Sequence, residues 1–254
     1  FLASKESTRG RRRAIVARET DAMTFQAIAF DLDGTLVDNA GGVALALNTA
    51  LHEADLPCFD LQRVRGWIGD GPDALIERAL RAIDLQDVDT AWLSTRVRRN
   101  FDAMVLGLPF AECSIYAGIE KLLEQLGRKN VPLAVITNTP TVLARAVLEE
   151  AGLLGCFTTV RGADTAALRM PSPLLIEQAA RALGTRPERM LMIGGSASAR
   201  QAACAAGCRA AWAGWGYGLL GSEQGDTVWR LDTPADLLVR MALPQTRRRG
   251  RPAA

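Results

Sequence analysis

An apolar run that stops against two carboxylates constrains this chain more than any other feature in it. The string AIAFDLDGTLVD at 27–38 sets Ala27, Ile28, Ala29 and Phe30 directly before Asp31, Asp33, Gly34 and Thr35. Four apolar residues are too few for a helix, and the Asp, Gly and Thr behind them break any helical period, so the run is read as a buried strand. Asp31 and Asp33 then stand at its carboxyl end, the edge of an open α/β sheet where ligands bind. Gly34 and Thr35 are expected to offer free backbone N–H groups and a hydroxyl to an anion.

The second half of the chain supplies a sheet for this strand to join. From Tyr116 the pattern alternates: a helix at 118–126, an apolar run at 132–137, a helix at 140–152 and a short strand near 157–161. A helix at 173–183, a strand at 190–193, a helix at 198–206 and a strand at 209–213 follow, with a closing helix at 234–243. Strands separated by helices imply right-handed crossovers and a mainly parallel sheet, so Thr137 and Asn138, then Gly194, Gly195 and Ser196, are brought to the edge that carries Asp31 and Asp33.

Between the first strand and that alternation lie only helical patterns, at 39–55, 61–68, 73–83 and 89–106, with Val43, Leu47 and Leu51 marking one stripe and Gly69, Gly71 and Pro72 as punctuation. The block is best explained as a lid inserted over the end of the sheet. The predicted fold is therefore α/β, a Rossmann-like parallel core at 23–38 and 112–243 with an all-helical cap at 39–111. No internal repeat or coiled-coil period sets an oligomeric state.

Composition excludes several classes. With 48% hydrophobic and 23% charged residues in 254, the chain is ordinary for a globular protein, and no run approaches a membrane span. The net charge of +2 hides two basic tracts, TRGRRR at 8–13 and TRRRGR at 246–251. Both are read as solvated ends: a basic, disordered extension at 1–22, ahead of Met23 and lacking an apolar signal core, and a basic tail at 244–254. Neither a nucleic acid nor a membrane is expected as a partner. The five cysteines form no Cys-x-x-Cys pair and only His52 could accompany them as a metal ligand, which favours reduced thiols of a cytoplasm. Cys204 and Cys208 are read as small buried side chains.

Two carboxylates flanking one residue past a strand can face one site, because the turn breaks the alternation of side chains. Each then raises the other's pKa, so that one can act ionised while its neighbour holds a proton. A carboxylate can attack phosphorus to give an acyl phosphate that water hydrolyses. On that reading Asp31 attacks and Asp33 serves the leaving oxygen.

DLDGTLVD, the ITNT string at 136–139 and the helical insertion between them resemble the haloacid-dehalogenase-like phosphatases, over about 27–243. GWIGDGPDALIERAL at 66–80, YAGIEKLLEQL at 116–126 and WGYG at 215–218 look more narrowly like bacterial phosphoglycolate phosphatases. The resemblance implies a Mg²⁺-dependent phosphomonoesterase that acts on a small phosphorylated metabolite through an aspartyl-phosphate. It implies Asp31 as nucleophile and metal ligand, Asp33 as acid/base with its backbone carbonyl on the metal, and Thr137 on the phosphoryl oxygens. Gly34, Thr35 and Asn138 complete the expected phosphate cradle.

The later motifs depart from the family pattern. RMPSP puts Met170 where the family has a lysine, and GGSASA puts Gly195 and Ala199 where it has two metal-holding carboxylates. A complete site of ionised nucleophile, two carboxylates, lysine and Mg²⁺ sums to about zero before substrate arrives, whereas here only Asp31 remains. Weak Mg²⁺ binding and turnover lowered by several orders of magnitude are expected, and a noncatalytic ligand- or protein-binding relative is the alternative. Arg169 and Arg200, beside the replaced positions, are candidates to supply the lost charge, although both are expected at the surface; Asp164 near a strand end is given little weight.

Overall fold

The computed structural model describes residues 25–83, 90–218 and 228–242. The two basic ends lie outside these residues. β1 (Ala27–Phe30) is buried on both faces, and its alternation divides the core. Ile28 and Phe30 enter a cluster with Leu122, Leu126, Val147 and Leu148, while Ala27 and Ala29 enter a second one with Ile136, Leu175, Ala179 and Ala202. A strand with helices on both sides reads as a continuous apolar run for this reason.

The chain leaves β1 through a tight loop into β2 (Val37–Asp38), then builds α1 (Ala40–His52), α2 (Leu61–Arg65), α3 (Pro72–Ile83) and α4 (Thr90–Gly107). These four helices close around a cluster of their own that includes Leu47, Leu51, Val64, Ile76, Val97 and Phe101. The helical layer, here termed the cap, ends at β3 (Ser114–Ile115), which pairs antiparallel with β2. Sequence patterns give no sign of this two-residue ribbon, since elements so short have no period to detect. It ties the entry and exit of the cap together.

α5 (Ile119–Arg128), β4 (Leu133–Thr137), α6 (Thr141–Glu150), β5 (Thr159–Gly162), α7 (Leu174–Ala182), β6 (Met190–Gly194), α8 (Ala197–Ala205) and β7 (Arg209–Ala213) then alternate as the apolar pattern predicts. β8 (Trp229–Leu231) adds a sixth strand that sequence reading missed, and α9 (Ala235–Ala242) closes the fold. The sheet order is β5-β4-β1-β6-β7-β8, with every pairing parallel. β1 sits where the strand order reverses, with Phe30 in register with Val135 on one side and Ile193 on the other. A crevice at the carboxyl ends follows from that topology.

All five cysteines are free. Cys208 is buried as expected, but Cys204 is exposed, because α8 turns that side of its last turn outward. Among the described residues no helix is long and apolar enough to cross a membrane.

Candidate active site

Asp31 follows β1 directly. Its N–H donates to the Ile193 carbonyl at 2.8 Å, which prolongs the ladder by one residue and holds the side chain in the crevice at 4% exposure. Oδ1 accepts from the Leu32 N–H at 2.9 Å, and the nearby Thr137 and Ser196 hydroxyls favour the ionised form. Burial, reinforced by the nearby Asp33 charge, pushes this carboxyl up to about 8 against the pull of those groups.

Asp33 is less enclosed, and each of its oxygens is engaged. Asn39 Nδ2 donates to Oδ1, and Thr139 Oγ1 donates to Oδ2 at 2.6 Å. Burial raises this carboxyl too, opposed by the same two bonds. Asp31 and Asp33 therefore converge as the spacing predicts, on a rigid strand end, and each favours holding a proton. Thr137, the last residue of β4, is buried beside them, its Oγ1 also accepting from the Thr139 N–H at 3.2 Å.

Other predicted cradle residues have different work. The Gly34 N–H donates to the Val37 carbonyl at 2.9 Å and the Thr35 N–H to the Leu32 carbonyl at 3.2 Å. Contrary to expectation, these groups are not free for an anion: the loop is so tight that it closes on its own carbonyls. Thr35 is fully buried and its hydroxyl has no hydrogen-bond partner. Asn138 is also committed to scaffold. Its Oδ1 accepts from the Met170 N–H at 2.7 Å, and its Nδ2 donates to the Met170 carbonyl at 3.2 Å and to Gly69 in the cap at 3.1 Å.

Met170 itself is 2% exposed and packs in the second core cluster together with Ala199. Gly195 is buried and has room: a Cβ there would lie 3.4 Å from its nearest neighbour, the Gly34 carbonyl oxygen. Arg169 does not turn toward the pair. Its guanidinium bonds Asp73 on α3 at 2.6 Å. Arg200 is half-buried rather than at the surface, with Nε sealed and unpartnered, beside a small cavity lined by Met192, Gly194 and Ala199 from β6 and α8 and by Ala210 and Trp212 from β7. Asp164 accepts from the Thr141 N–H at 2.7 Å and from its hydroxyl at 2.8 Å, which caps α6.

Ser196 stands at the edge where the alternation of strands and helices places it, but sequence reasoning gave no role to Asn39, Thr139 or Tyr217. Thr139 and Tyr217 stood inside strings already singled out, ITNT and WGYG. The place of Tyr217 is nonetheless tertiary. Its ring lies over Gly34, where a Cβ would sit 2.7 Å from it. Its hydroxyl donates to Asp38 Oδ1 at 2.9 Å and accepts from the Asn39 N–H at 2.8 Å. Burial and the Asp33 charge raise the phenol's pKa. Beside it, Trp215 Nε1 donates to the Thr35 carbonyl at 3.0 Å, so the WGYG loop clamps the loop after β1 from above.

The donor set does not fit a Mg²⁺ ion held by protein alone. Among the described residues no three His, Cys, Asp or Glu side chains converge, and the stretch after β6 contributes no carboxylate: Gly195 and Ala199 offer no oxygen ligand from a side chain, and Ser196 offers only a hydroxyl. Mg²⁺ requires near-octahedral oxygen coordination, and Asp31 with the Asp33 carbonyl supplies a minority of it.

A parallel sheet reversing at β1, an Asp pair at that strand's end and a helical insertion directly after it define a hydrolase class. The chain belongs to the haloacid dehalogenase-like hydrolases, whose family model matches residues 25–207. Within that family its likeness is to phosphoglycolate phosphatases. That of Pectobacterium atrosepticum is 35% identical over 214 residues, covering 83% of this chain and 90% of the relative. That of Escherichia coli K12 is 32% identical over 237 residues, covering 86% and 93%. The crystal structure of a predicted phosphoglycolate phosphatase from Haemophilus somnus superimposes with a TM-score of 0.77 at 29% identity, covering 85% of this chain and 98% of that one. CbbY from Rhodobacter sphaeroides, in complex with phosphate, superimposes with a TM-score of 0.67 at 26% identity, covering 84% and 96%.

Proposed function

We propose that the chain is a phosphomonoester hydrolase of the phosphoglycolate-phosphatase type, working through an aspartyl-phosphate, with turnover held low by the charges its site lacks. The observation that carries this reading is the proximity of Asp31 and Asp33 at the end of β1, with the Thr139 hydroxyl bonded to Asp33 and the Thr137 hydroxyl near Asp31. Relatives named as phosphoglycolate phosphatases and a phosphate-bound structural neighbour support phosphate as the group handled.

In the forward step the ionised form of Asp31, the minority form below about pH 8, attacks phosphorus through one carboxylate oxygen. The new Asp31 O–P bond forms as the ester P–O bond breaks, and Asp33 gives its proton to the departing alcohol oxygen. Its raised pKa keeps that proton available, and the bonds from Asn39 and Thr139 hold the carboxyl in one orientation. In the return step water attacks the acyl phosphate, Asp33 takes its proton, and phosphate leaves with Asp31 regenerated.

The low rate follows from electrostatics. Among the described residues no ion pair involves Asp31 or Asp33. A phosphate dianion therefore meets an attacking carboxylate with no lysine beside it. Removing one preorganised charge-stabilising group costs about 10²–10³ in kcat, and several removed together do not add simply.

Phosphate release from phosphoglycolate and a panel of small phosphate esters, with and without Mg²⁺, tests the proposal. Slow turnover is expected, lost in Asp31→Asn and raised at least a hundredfold in the triple variant Met170→Lys, Gly195→Asp, Ala199→Asp. Zero turnover in the starting protein, with the triple variant active, would overturn the enzymatic reading.

A further inference from the structure

Where the alcohol half of a phosphate ester would lie, the cap and core border a cleft of about 50 Å³, partly open to solvent, that reaches Asp33 and Thr139. Its walls come from both layers. Val43, Ile68, Pro72, Leu75 and Phe101 face it from the cap, and Leu143 from α6 in the core. Among the described residues Asp33 is the only charged one on its lining, and Asn39 and Thr139 are already bonded to Asp33.

The arginines near this end of the cap are engaged elsewhere. Arg98 is paired with Asp73 and Asp102, Arg169 with Asp73, and Arg78 with Asp70. Arg65 lies with its guanidinium 4.9 Å from the centre of the Tyr217 ring. None of these residues lines the cleft. A leaving group with its own carboxylate, such as glycolate, would thus be moved out of water into an apolar slot whose one charge is negative. Burying such an anion without a partner is strongly unfavourable, whereas an alkyl or aryl group gains from every apolar atom covered.

We infer that the cleft selects phosphate monoesters of apolar alcohols, with an alkyl or aryl leaving group lying along Val43, Ile68, Leu75 and Phe101, and disfavours esters that carry a second anion. The inference rests on the phosphatase reading above for the position of the phosphate, but the cleft's preference for an apolar group can be read without turnover.

The experiment has a kinetic and a binding arm on the full chain. Values of kcat/KM are measured for methyl to hexyl phosphate and for phosphoglycolate. The expected result is a rise of about threefold to fourfold per methylene until the cleft is filled, with phosphoglycolate at least tenfold below butyl phosphate. A flat series, or phosphoglycolate equal to or better than butyl phosphate, overturns the inference. If no ester is hydrolysed, the phosphatase reading fails and calorimetric binding decides. Pentylphosphonate binding tighter than phosphonoacetate by at least tenfold supports the apolar cleft; equal, reversed or undetectable binding of both overturns it. Ile68→Arg, in the loop between α2 and α3, places a cation at the cleft wall and should narrow the preference for the apolar ligand at least tenfold. An unchanged preference in that variant, shown to be folded by its thermal transition, also counts against the inference.

Discussion

Asp31 sits in an environment that opposes its own ionisation, which has a consequence for stability. An unfolded chain ionises this carboxyl above its ordinary value of 3.8, while in the folded protein it stays protonated up to about 8. Between those values the folded state binds a proton that the unfolded state releases, so stability attributable to Asp31 falls as pH rises through that window. Asp31→Asn keeps the shape and removes the titration. In EDTA its melting temperature should match the parent's near pH 4 and exceed it increasingly toward pH 8. An equal shift at pH 5 and pH 8, or a loss at both, would refute this. A gain in stability with a loss of activity is common when a functional site is neutralised. Met170 and Ala199 show the opposite accommodation. Both are buried in the same apolar cluster, so Met170→Lys alone would bury a charge with no partner, which is why the restoring variant above changes both sides together.

At the scale of elements, the entry to the cap depends on two glycines in α1. A Cβ on Gly42 would come 2.3 Å from the Ala111 carbonyl oxygen and 2.9 Å from Cys113 Sγ, and one on Gly41 would come 2.7 Å from the Glu112 carbonyl oxygen. The segment leading into β3 thus lies directly against the helix. Helix propensity alone favours Gly42→Ala by about 1 kcal/mol. Forcing a methyl against backbone typically costs about 1–3 kcal/mol, and here the obstacle is a carbonyl that cannot move without shifting β3, so the steric cost should win. Urea unfolding should show Gly42→Ala less stable than the parent by about 1 kcal/mol or more; equal or greater stability would refute the close approach. The helices around this contact were legible because Leu47 and Leu51, or Leu122 and Leu126, recur at helical spacing and need no distant information. The β2–β3 ribbon and β8 were not, since strands of two or three residues acquire their identity from the partner they pair with.

Across the whole molecule the cap is tied to the core by polar links at one edge. Asp73 on α3 accepts from Arg98 within the cap and from Arg169 in the core, and Asn138 reaches the Gly69 carbonyl. Asp73 is 55% exposed, so its pairs contribute less than about 1 kcal/mol to global stability. Their effect should fall on cap position instead. Asp73→Ala is expected to leave the urea midpoint nearly unchanged while speeding amide exchange at 66–75; unchanged exchange there would show that Asn138 and apolar packing hold the cap without it. The sequence by itself determined the parallel core, the helical insertion and the meeting of Asp31 with Asp33, because hydrophobic period and a strand that ends at charged residues are local properties. Only the tertiary structure decided what surrounds that pair. It spends the Gly34 and Thr35 N–H groups on the loop's own carbonyls, turns Asn138 and Arg169 toward the cap, and lays Tyr217 on Gly34. The physical reason is that a hydrogen bond is allotted among all the groups within reach, and those groups are brought together by the fold from segments far apart in the chain.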